Sequence, residues 1–330
     1  VSLLVIVARQ VTTAERRRTF FTVFLGTAAL ILALGALQWF LFSDSMVLRF
    51  DAVRQIWIPR LSSVLAHPNH FGGYLVFVLS LAAALTATRG LSQTLRLGAG
   101  LLTIAGLVAT YFTYSRSAWI AVPTALVGAL ILPRTLKARQ LLGLSALLLL
   151  LAGTVALGIP RVRQSIRAAA DPAYESNRTR LDIAVGSLAQ VTNLGAIVGE
   201  GLGDTVTLLG RTADISVFDL ISAESKEAQA AKARTFVDNG VVKTWVEQGV
   251  VGLVLAGWVA VHLLRLGLRA FRRRTDPETR VIGSAVVGMI CGLAALWLFL
   301  DVPDMFPANL YFWAFAGLLV ASGASKASEA

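Results

Sequence analysis

Apolar stretches close to 20 residues long recur along the whole 330-residue chain, and they constrain its fold more than any other feature. A helix must have about 20 residues to cross about 30 Å of hydrocarbon. Only 15% of the residues are charged, whereas soluble domains carry about a quarter. The pattern predicts an all-α polytopic membrane protein with about eight transmembrane helices, at 20–42, 71–88, 97–113, 117–132, 141–158, 246–267, 281–300 and 307–322.

The first residues, 1–8, are also apolar and are typical of the end of one more span. No basic region precedes this run and no small-residue cleavage site follows it, which is unlike a signal peptide. The chain starts at Val1 rather than Met, so we expect either a fragment or an unusual start.

Basic residues are concentrated in four short loops, at 9–18, 89–96, 133–140 and 268–280, which together hold 14 basic and three acidic residues. An excess of Lys and Arg in short loops marks the cytoplasmic side of a membrane protein. The excess equals the net charge of +11 for the whole chain. The charge therefore indicates topology, and no nucleic-acid partner is expected.

One long segment, 159–244, lies on the other side and is neutral, with ten basic and ten acidic residues. Apolar residues recur at helical spacing over 177–192, which predicts an amphipathic helix in a periplasmic loop. We therefore expect an N-terminal transmembrane bundle at 1–158, a periplasmic loop region at 159–244 and C-terminal transmembrane helices at 245–330.

The unusual polar residues on this outer side form four groups, and the first is HPNHFGG before a span. Here His67, Asn69 or His70 could face a substrate groove. Alternatively, Asn69 caps the helix that follows Pro68, and the histidines simply lie at the interface.

The second group is the short connection around Ser115 and Arg116. An arginine at the end of a span can extend its charge to the membrane interface beside Trp119. However, Arg116 lies on the side where topology does not require a positive charge, and arginine binds phosphate with two parallel hydrogen bonds. Both interpretations stay open.

The third group contains Arg178 and Arg180, followed by the glycine-rich GEGLGD at 199–204. These glycines lack the Lys-Ser/Thr of a nucleotide-binding loop, so they favour a simple turn.

The fourth group is Asp238, Asn239 and Glu247 at the start of a span. Asp238 could act as a general base or only cap the helix. Glu247 could be stabilised by the helix dipole.

Metal and cofactor chemistry is not expected from the sequence. There are three histidines and one cysteine, without the spacing of a metal site. No Gly-x-Ser-x-Gly motif or serine triad is evident.

Taken in order, these motifs resemble those of the O-antigen ligase and O-antigen polymerase family of bacterial envelope glycosyltransferases. HPNHFGG is similar to the Asn-Pro-Asn-type element of the family, Ser115-Arg116 to its span junction, and Arg180 to the arginine that opens its periplasmic helix. GEGLG resembles its Gly-x-Gly element, and VDNGVVKTWVEQGVVGLVL its (His or Asp)-Asn…Glu-x-Gly-x-x-Gly signature. The resemblance runs over roughly 50–270.

The resemblance implies a periplasmic active site in the inner membrane that takes a glycan from an undecaprenyl-diphosphate carrier and joins it to an acceptor hydroxyl, without a metal. Arg116 and Arg180 would stabilise the diphosphate leaving group. Asp238 stands where ligases of the family have histidine, which favours polymerisation or an exopolysaccharide role over ligation to the lipid A core. The alternatives are a transporter of lipid-linked sugars and a non-catalytic scaffold for polysaccharide export.

Overall fold

A computed structural model describes residues 2–42, 46–51, 56–65, 67–130, 185, 191–201, 239–272, 276–300 and 307–324. In chain order the helices of these residues are α1 (Ser2–Gln10), α2 (Ala14–Leu41), α3 (Pro68–Ala87), α4 (Gln93–Phe112), α5 (Arg116–Leu130), α6 (Gly195–Val198), α7 (Gly240–Arg272), α8 (Pro277–Trp297) and α9 (Ala308–Ala324). Two strands, β1 (Val47–Asp51) and β2 (Ile56–Arg60), lie between α2 and α3.

The helices confirm an all-α polytopic membrane protein. Helices α2, α3, α4, α7 and α8 are long and apolar enough to cross a membrane, and α5 and α9 are shorter apolar helices. These seven helices coincide with seven of the predicted spans. The predicted span at 141–158 lies outside the described residues. The same holds for the predicted amphipathic helix from residue 177 to residue 190, except for Val185. Residues 2–8 belong to the nine-residue α1.

Contacts divide the described parts of the chain into two compact units. Unit 1 falls within Val1–Gly143, Val261–Leu296 and Val302–Ala330, and unit 2 within Leu144–Ala260 and Trp297–Asp301. Each unit is considered by itself below.

Side-chain caps determine where several helices begin. Thr13 accepts a hydrogen bond from the Arg16 N–H at the start of α2, and Ser92 does the same for α4. The prediction that Asn69 caps α3 is wrong, because the cap is His67, whose Nδ1 accepts from the Asn69 N–H at 3.1 Å. Pro68 occupies the first turn, where its missing N–H costs nothing, and the helix therefore starts before Asn69.

The β-hairpin was not predicted from the sequence. Strands β1 and β2 pair antiparallel, with Val47 opposite Arg60 and Asp51 opposite Ile56. Each strand has only five residues, and an apolar run that short does not distinguish a strand from a piece of helix.

Helices α3 and α8 form the interior of unit 1, where nearly every side chain is buried. Small residues allow the backbones to approach closely, as in other membrane bundles. A Cβ at Gly288 would lie 2.6 Å from the Ala125 carbonyl oxygen, and one at Gly292 would lie 2.7 Å from the Ala125 Cβ. Helices α2 and α4 are mostly exposed and present apolar side chains outward.

The connections of unit 1 gather at two opposite ends of the helices. At one end, Arg17 pairs with Asp276 at 2.6 Å, and Arg280 donates to the Arg89 carbonyl oxygen at 2.9 Å. We call this the arginine-rich end. At the other end, the Leu61 N–H donates to the Phe112 carbonyl oxygen at 2.9 Å. This grouping of connections agrees with the alternation that the loop charges predict.

Candidate functional site

The tight connection between α4 and α5 places Arg116 at the first position of α5. The Thr113 hydroxyl donates to the Thr110 carbonyl oxygen at 2.7 Å and accepts from the Ser115 N–H at 3.1 Å. Tyr114 adopts a positive φ of 48°, which a non-glycine residue rarely does. The connection is therefore held in one conformation by side chains that are themselves buried.

An aromatic cluster supports this connection from α4 and α5. The rings of Tyr111 and Trp119 stack with their centroids 6.0 Å apart, and Tyr114 lies 5.8 Å from Tyr111. The Trp119 Nε1 donates to the Thr110 carbonyl oxygen at 3.1 Å. Trp119, which the sequence predicts to lie at the membrane interface, thus also stabilises the backbone next to Arg116.

Arg116 itself is partly exposed and begins a helix. The N-terminus of a helix carries a partial positive charge, so a cation there is electrostatically unfavourable. An anion beside this position is attracted by both the helix end and the guanidinium.

Arg60 is a second arginine at this end, and sequence analysis missed it. Its Nε donates to the Thr113 carbonyl oxygen at 3.0 Å, and its Nη2 donates to the Asn69 Oδ1 at 3.1 Å. Arg60 thereby ties the α4–α5 connection to the first turn of α3. A clue in the sequence is that Arg60, like Arg116, lies outside the basic loops that explain the net charge.

The N-terminal parts of α3 and α5 touch. A Cβ at Gly72 would lie 2.5 Å from the Ala118 Cβ, so glycine is required for this approach. His67 and His70 lie on the same turn, with ring centroids 6.0 Å apart, and both are partly exposed. The structure therefore gathers Arg60, Arg116 and two helix N-termini in one place. We call this the Arg116 cluster.

Unit 2 contains a break in α7 that the sequence did not reveal. Gly249 has φ 64° and ψ −167°, far from helical values. The carbonyl oxygens of Val246 and Glu247 accept hydrogen bonds from Glu200 N–H at 2.8 Å and Gly201 N–H at 3.2 Å. Residues 199–201 thus bind the backbone of α7 where the helix is interrupted.

The turn at residues 199–201 is stabilised by the carboxylate of Glu200. Glu200 Oε1 accepts from both the backbone N–H and the hydroxyl of Thr192, each at 2.7 Å. These two hydrogen bonds hold the pKa of Glu200 below its ordinary value. Gly199 and Gly201 have φ values of 88° and 119°, so the predicted glycine turn is present between residues 199 and 201.

Asn239 caps the start of helix α7, and its Oδ1 accepts from the N–H groups of Val241 and Val242 at 3.0 and 3.1 Å. The cap that we considered for Asp238 is therefore provided by Asn239. Glu247 is buried, 3.9 Å from the Lys243 Nζ. Glu247 precedes the break by two residues. The helix dipole that could stabilise its negative charge is therefore that of the segment after Gly249, and not that of the start of α7.

Three of the predicted site residues, Arg178, Arg180 and Asp238, lie outside the described residues. Of the others, His67, Asn69, His70 and Arg116 come together in unit 1, and Asn239 and Glu247 lie in unit 2. Among the residues that the structure describes, no group of three or more His, Cys, Asp or Glu side chains could hold a metal ion.

These features define a class: a multi-pass helical membrane protein with arginines gathered at helix N-termini at one end and a discontinuous transmembrane helix. Residues 99–257 match the family described as O-antigen ligase. The resemblance to this family is thus confirmed over these residues. The matched range contains the α4–α5 connection, the glycine turn and the break in α7, while HPNHFGG precedes it. No curated protein matches the chain.

Proposed function

We propose that this protein transfers or polymerises a glycan from an undecaprenyl-diphosphate carrier onto an acceptor hydroxyl. The family domain at 99–257 supports glycan transfer as the general activity. The observation that carries the finer proposal is the Arg116 cluster, since Arg116 and two helix N-termini at one place suit a diphosphate.

The reaction replaces one bond to the anomeric carbon by another. The acceptor oxygen attacks the anomeric carbon and loses its proton to a base, the bond to the carrier phosphate breaks, and the carrier leaves as a diphosphate. The leaving group gains negative charge in the transition state, so cations positioned beforehand lower the barrier. We assign this role to Arg116 and Arg180.

The acceptor hydroxyl needs a general base, and we assign this role to Asp238. Asn239 is held at the adjacent helix start by its hydrogen bonds to Val241 and Val242, which suits a precisely oriented neighbour for the base. Substrate contacts are assigned to six residues: His67, Asn69, His70, Arg178, Asn239 and Glu247.

The proposed setting is the inner membrane of a bacterium, with the segment 159–244 and the Arg116 cluster on the periplasmic side. The arginine-rich end is then cytoplasmic, as the positive-inside rule requires. The acceptor is a growing glycan or the lipid A core. Neither a metal nor a cofactor takes part in the proposed steps.

Purified protein incubated with a lipid-linked oligosaccharide and an acceptor tests this proposal. We expect Arg116→Ala, Arg180→Ala and Asp238→Ala to abolish formation of covalent product while the protein still inserts into membranes. The matched control is Arg269→Ala, an exposed arginine in the last turn of α7. Full activity of all three variants would overturn the site assignment, and translocation without covalent product would indicate a transporter.

Surface glycans from cells lacking the gene distinguish the two products. A polymerase leaves single repeats on the acceptor when it is lost. A ligase leaves the acceptor bare, with chains accumulating on the carrier.

A further inference from the structure

A small pocket at the arginine-rich end lies away from the Arg116 cluster. It has a volume of about 360 Å³ and is lined by Ala87, Thr88, Arg89, Phe271 and Arg280. All five residues belong to unit 1. None of these lining residues is acidic, so the pocket presents two guanidinium groups and one hydroxyl side chain to whatever occupies it.

Arg280 is only partly satisfied by the protein. Its Nη2 donates to the Arg89 carbonyl oxygen at 2.9 Å, but its Nε is buried and has no hydrogen-bond partner among the described residues. A buried donor without an acceptor is unfavourable, and a bound anion would remove that penalty.

The nearby acidic residues are engaged by other arginines. Asp276 pairs with Arg17 at 2.6 Å, and Glu278 pairs with Arg18. The positive charge of Arg89 and Arg280 is therefore available to a ligand from outside the protein. A phosphate diester matches it, because arginine binds phosphate oxygens in a planar, two-pronged geometry.

A second cavity shares Ala87 with this pocket and is apolar. It has a volume of about 550 Å³ and runs along α3, α4 and α5, past side chains such as Ala83, Leu97, Leu101, Ile104 and Leu126. Leu101 is 70% exposed in the protein and Ile104 is 63% exposed, so this groove opens toward the hydrocarbon of a membrane. At its polar end, the Arg96 Nε donates to the Thr86 carbonyl oxygen at 3.2 Å.

We infer that the pocket and the groove together bind one anionic glycerophospholipid of the leaflet at the arginine-rich end. The phosphate lies between Arg89 and Arg280, and an acyl chain follows the groove along α4. A soluble phosphate would use the pocket alone, whereas an uncharged lipid would use the groove alone. Because the cationic pocket and the apolar groove adjoin, they favour a ligand that has both an anionic headgroup and an acyl chain.

The test measures lipid retention by native mass spectrometry of the purified full chain. Dioleoylphosphatidylglycerol, dioleoylphosphatidylcholine and inorganic phosphate are the three probes. We expect the phosphatidylglycerol to be retained at least tenfold better than the phosphatidylcholine, and inorganic phosphate not to displace it. Equal retention of the two lipids would overturn the inference.

Variants test the two halves of the site separately. Arg89→Gln keeps the backbone carbonyl that Arg280 uses, so it weakens the pocket without removing that hydrogen bond. Gly100→Leu adds a side chain inside the groove, where a Cβ meets Thr86 only at ordinary contact distance, 3.6 Å. Both should lower phosphatidylglycerol retention several-fold, while Arg269→Gln at the same end leaves it unchanged.

Three results would contradict the site. If Arg89→Gln retains phosphatidylglycerol as well as the wild type does, the pocket does not hold the phosphate. If Gly100→Leu has no effect while inorganic phosphate competes, the ligand is a soluble anion. If Arg269→Gln lowers retention as much as Arg89→Gln does, only the general charge of this end matters. Because glycan transfer is not measured, the result is independent of the proposed reaction.

Discussion

Gly249→Ala is the sharpest test of the break in α7. At φ 64° and ψ −167°, Gly249 occupies a region that is essentially restricted to glycine, and forcing another residue there costs about 1–3 kcal/mol. A Cβ would also lie 2.6 Å from the Val198 nitrogen and closer still to the Ile197 carbonyl oxygen. The turn at 199–201 cannot remain docked against such a side chain.

Loss of docking breaks two hydrogen bonds, from Glu200 and Gly201 to the carbonyl oxygens of Val246 and Glu247. Each is worth about 0.5–1.5 kcal/mol. With the conformational strain, the substitution should cost roughly 2–6 kcal/mol in total. That is a large part of the roughly 5–15 kcal/mol by which a folded domain is stable.

Thermal unfolding of the purified protein in detergent and limited proteolysis of the 191–201 segment provide the measurements. Gly249→Ala should unfold at a clearly lower temperature and be cut faster in this segment. Gly257→Ala is the matched control in the same helix, because a Cβ there meets nothing within 4 Å. In an ordinary helical position alanine is favoured over glycine, so this control should be neutral or slightly stabilising.

A double substitution tests whether the loss comes from docking. Gly199 has φ 88°, and a Cβ there would overlap the Glu247 carbonyl group. Gly199→Ala and Gly249→Ala should each undock the same turn, so their combined effect should be smaller than the sum. If Gly249→Ala unfolds at the temperature of Gly257→Ala, or if the two effects add fully, the reasoning is refuted.

Three further predictions concern unit 1. Arg60→Gln removes the charged donors that connect α3 to the α4–α5 connection, so glycan transfer should fall about 10- to 100-fold. Arg60→Lys should recover only part of the activity. Unchanged transfer in Arg60→Gln would contradict a positioning role. The pKa of Asp276 is lowered because hydrogen bonds and a neighbouring arginine outweigh its burial, so its stabilising effect is present at neutral pH and disappears as the pH falls through about 4 and below. Asp276→Asn should therefore unfold at a lower temperature at neutral pH, with a smaller further decrease in acid; an unchanged pH profile would be inconsistent. Gly288→Leu would force α8 away from the Ala125 carbonyl oxygen and should strongly destabilise the helix bundle. Gly98→Leu is the control and should not destabilise it, because Gly98 has open space around it. Equal unfolding temperatures of the two variants would argue against the close packing of α8 on α5.

The membrane-spanning helices could be predicted because the signal for them is local. Each span needs enough consecutive apolar residues to match the hydrocarbon thickness, and this requirement is readable within a window of the chain. The predicted starts at 71 and 97 lie three and four residues inside α3 and α4, where Pro68 and the Ser92 cap begin the helix earlier. The short hairpin carries no such signal, because its strands are only five residues long.

The candidate site was only partly predictable. Arg116 could be singled out because the predicted topology gives no reason for a positive charge at its position. Arg60 carries the same signal, but its partners, Thr113 and Asn69, lie 53 and nine residues away in the chain. The role of Arg60 depends on contacts between residues far apart in the chain, which a short sequence motif does not show.

The sequence by itself determined the fold class and the family resemblance, because hydrophobic length and motif order are properties of the chain. Only the tertiary structure decided that the turn at 199–201 docks onto the broken α7, and that Arg60 braces the α4–α5 connection. A glycine inside an apolar run is ordinary in a membrane helix. The role of Gly249 depends on the backbone N–H groups of Glu200 and Gly201, which donate to the carbonyl oxygens of α7 beside the break.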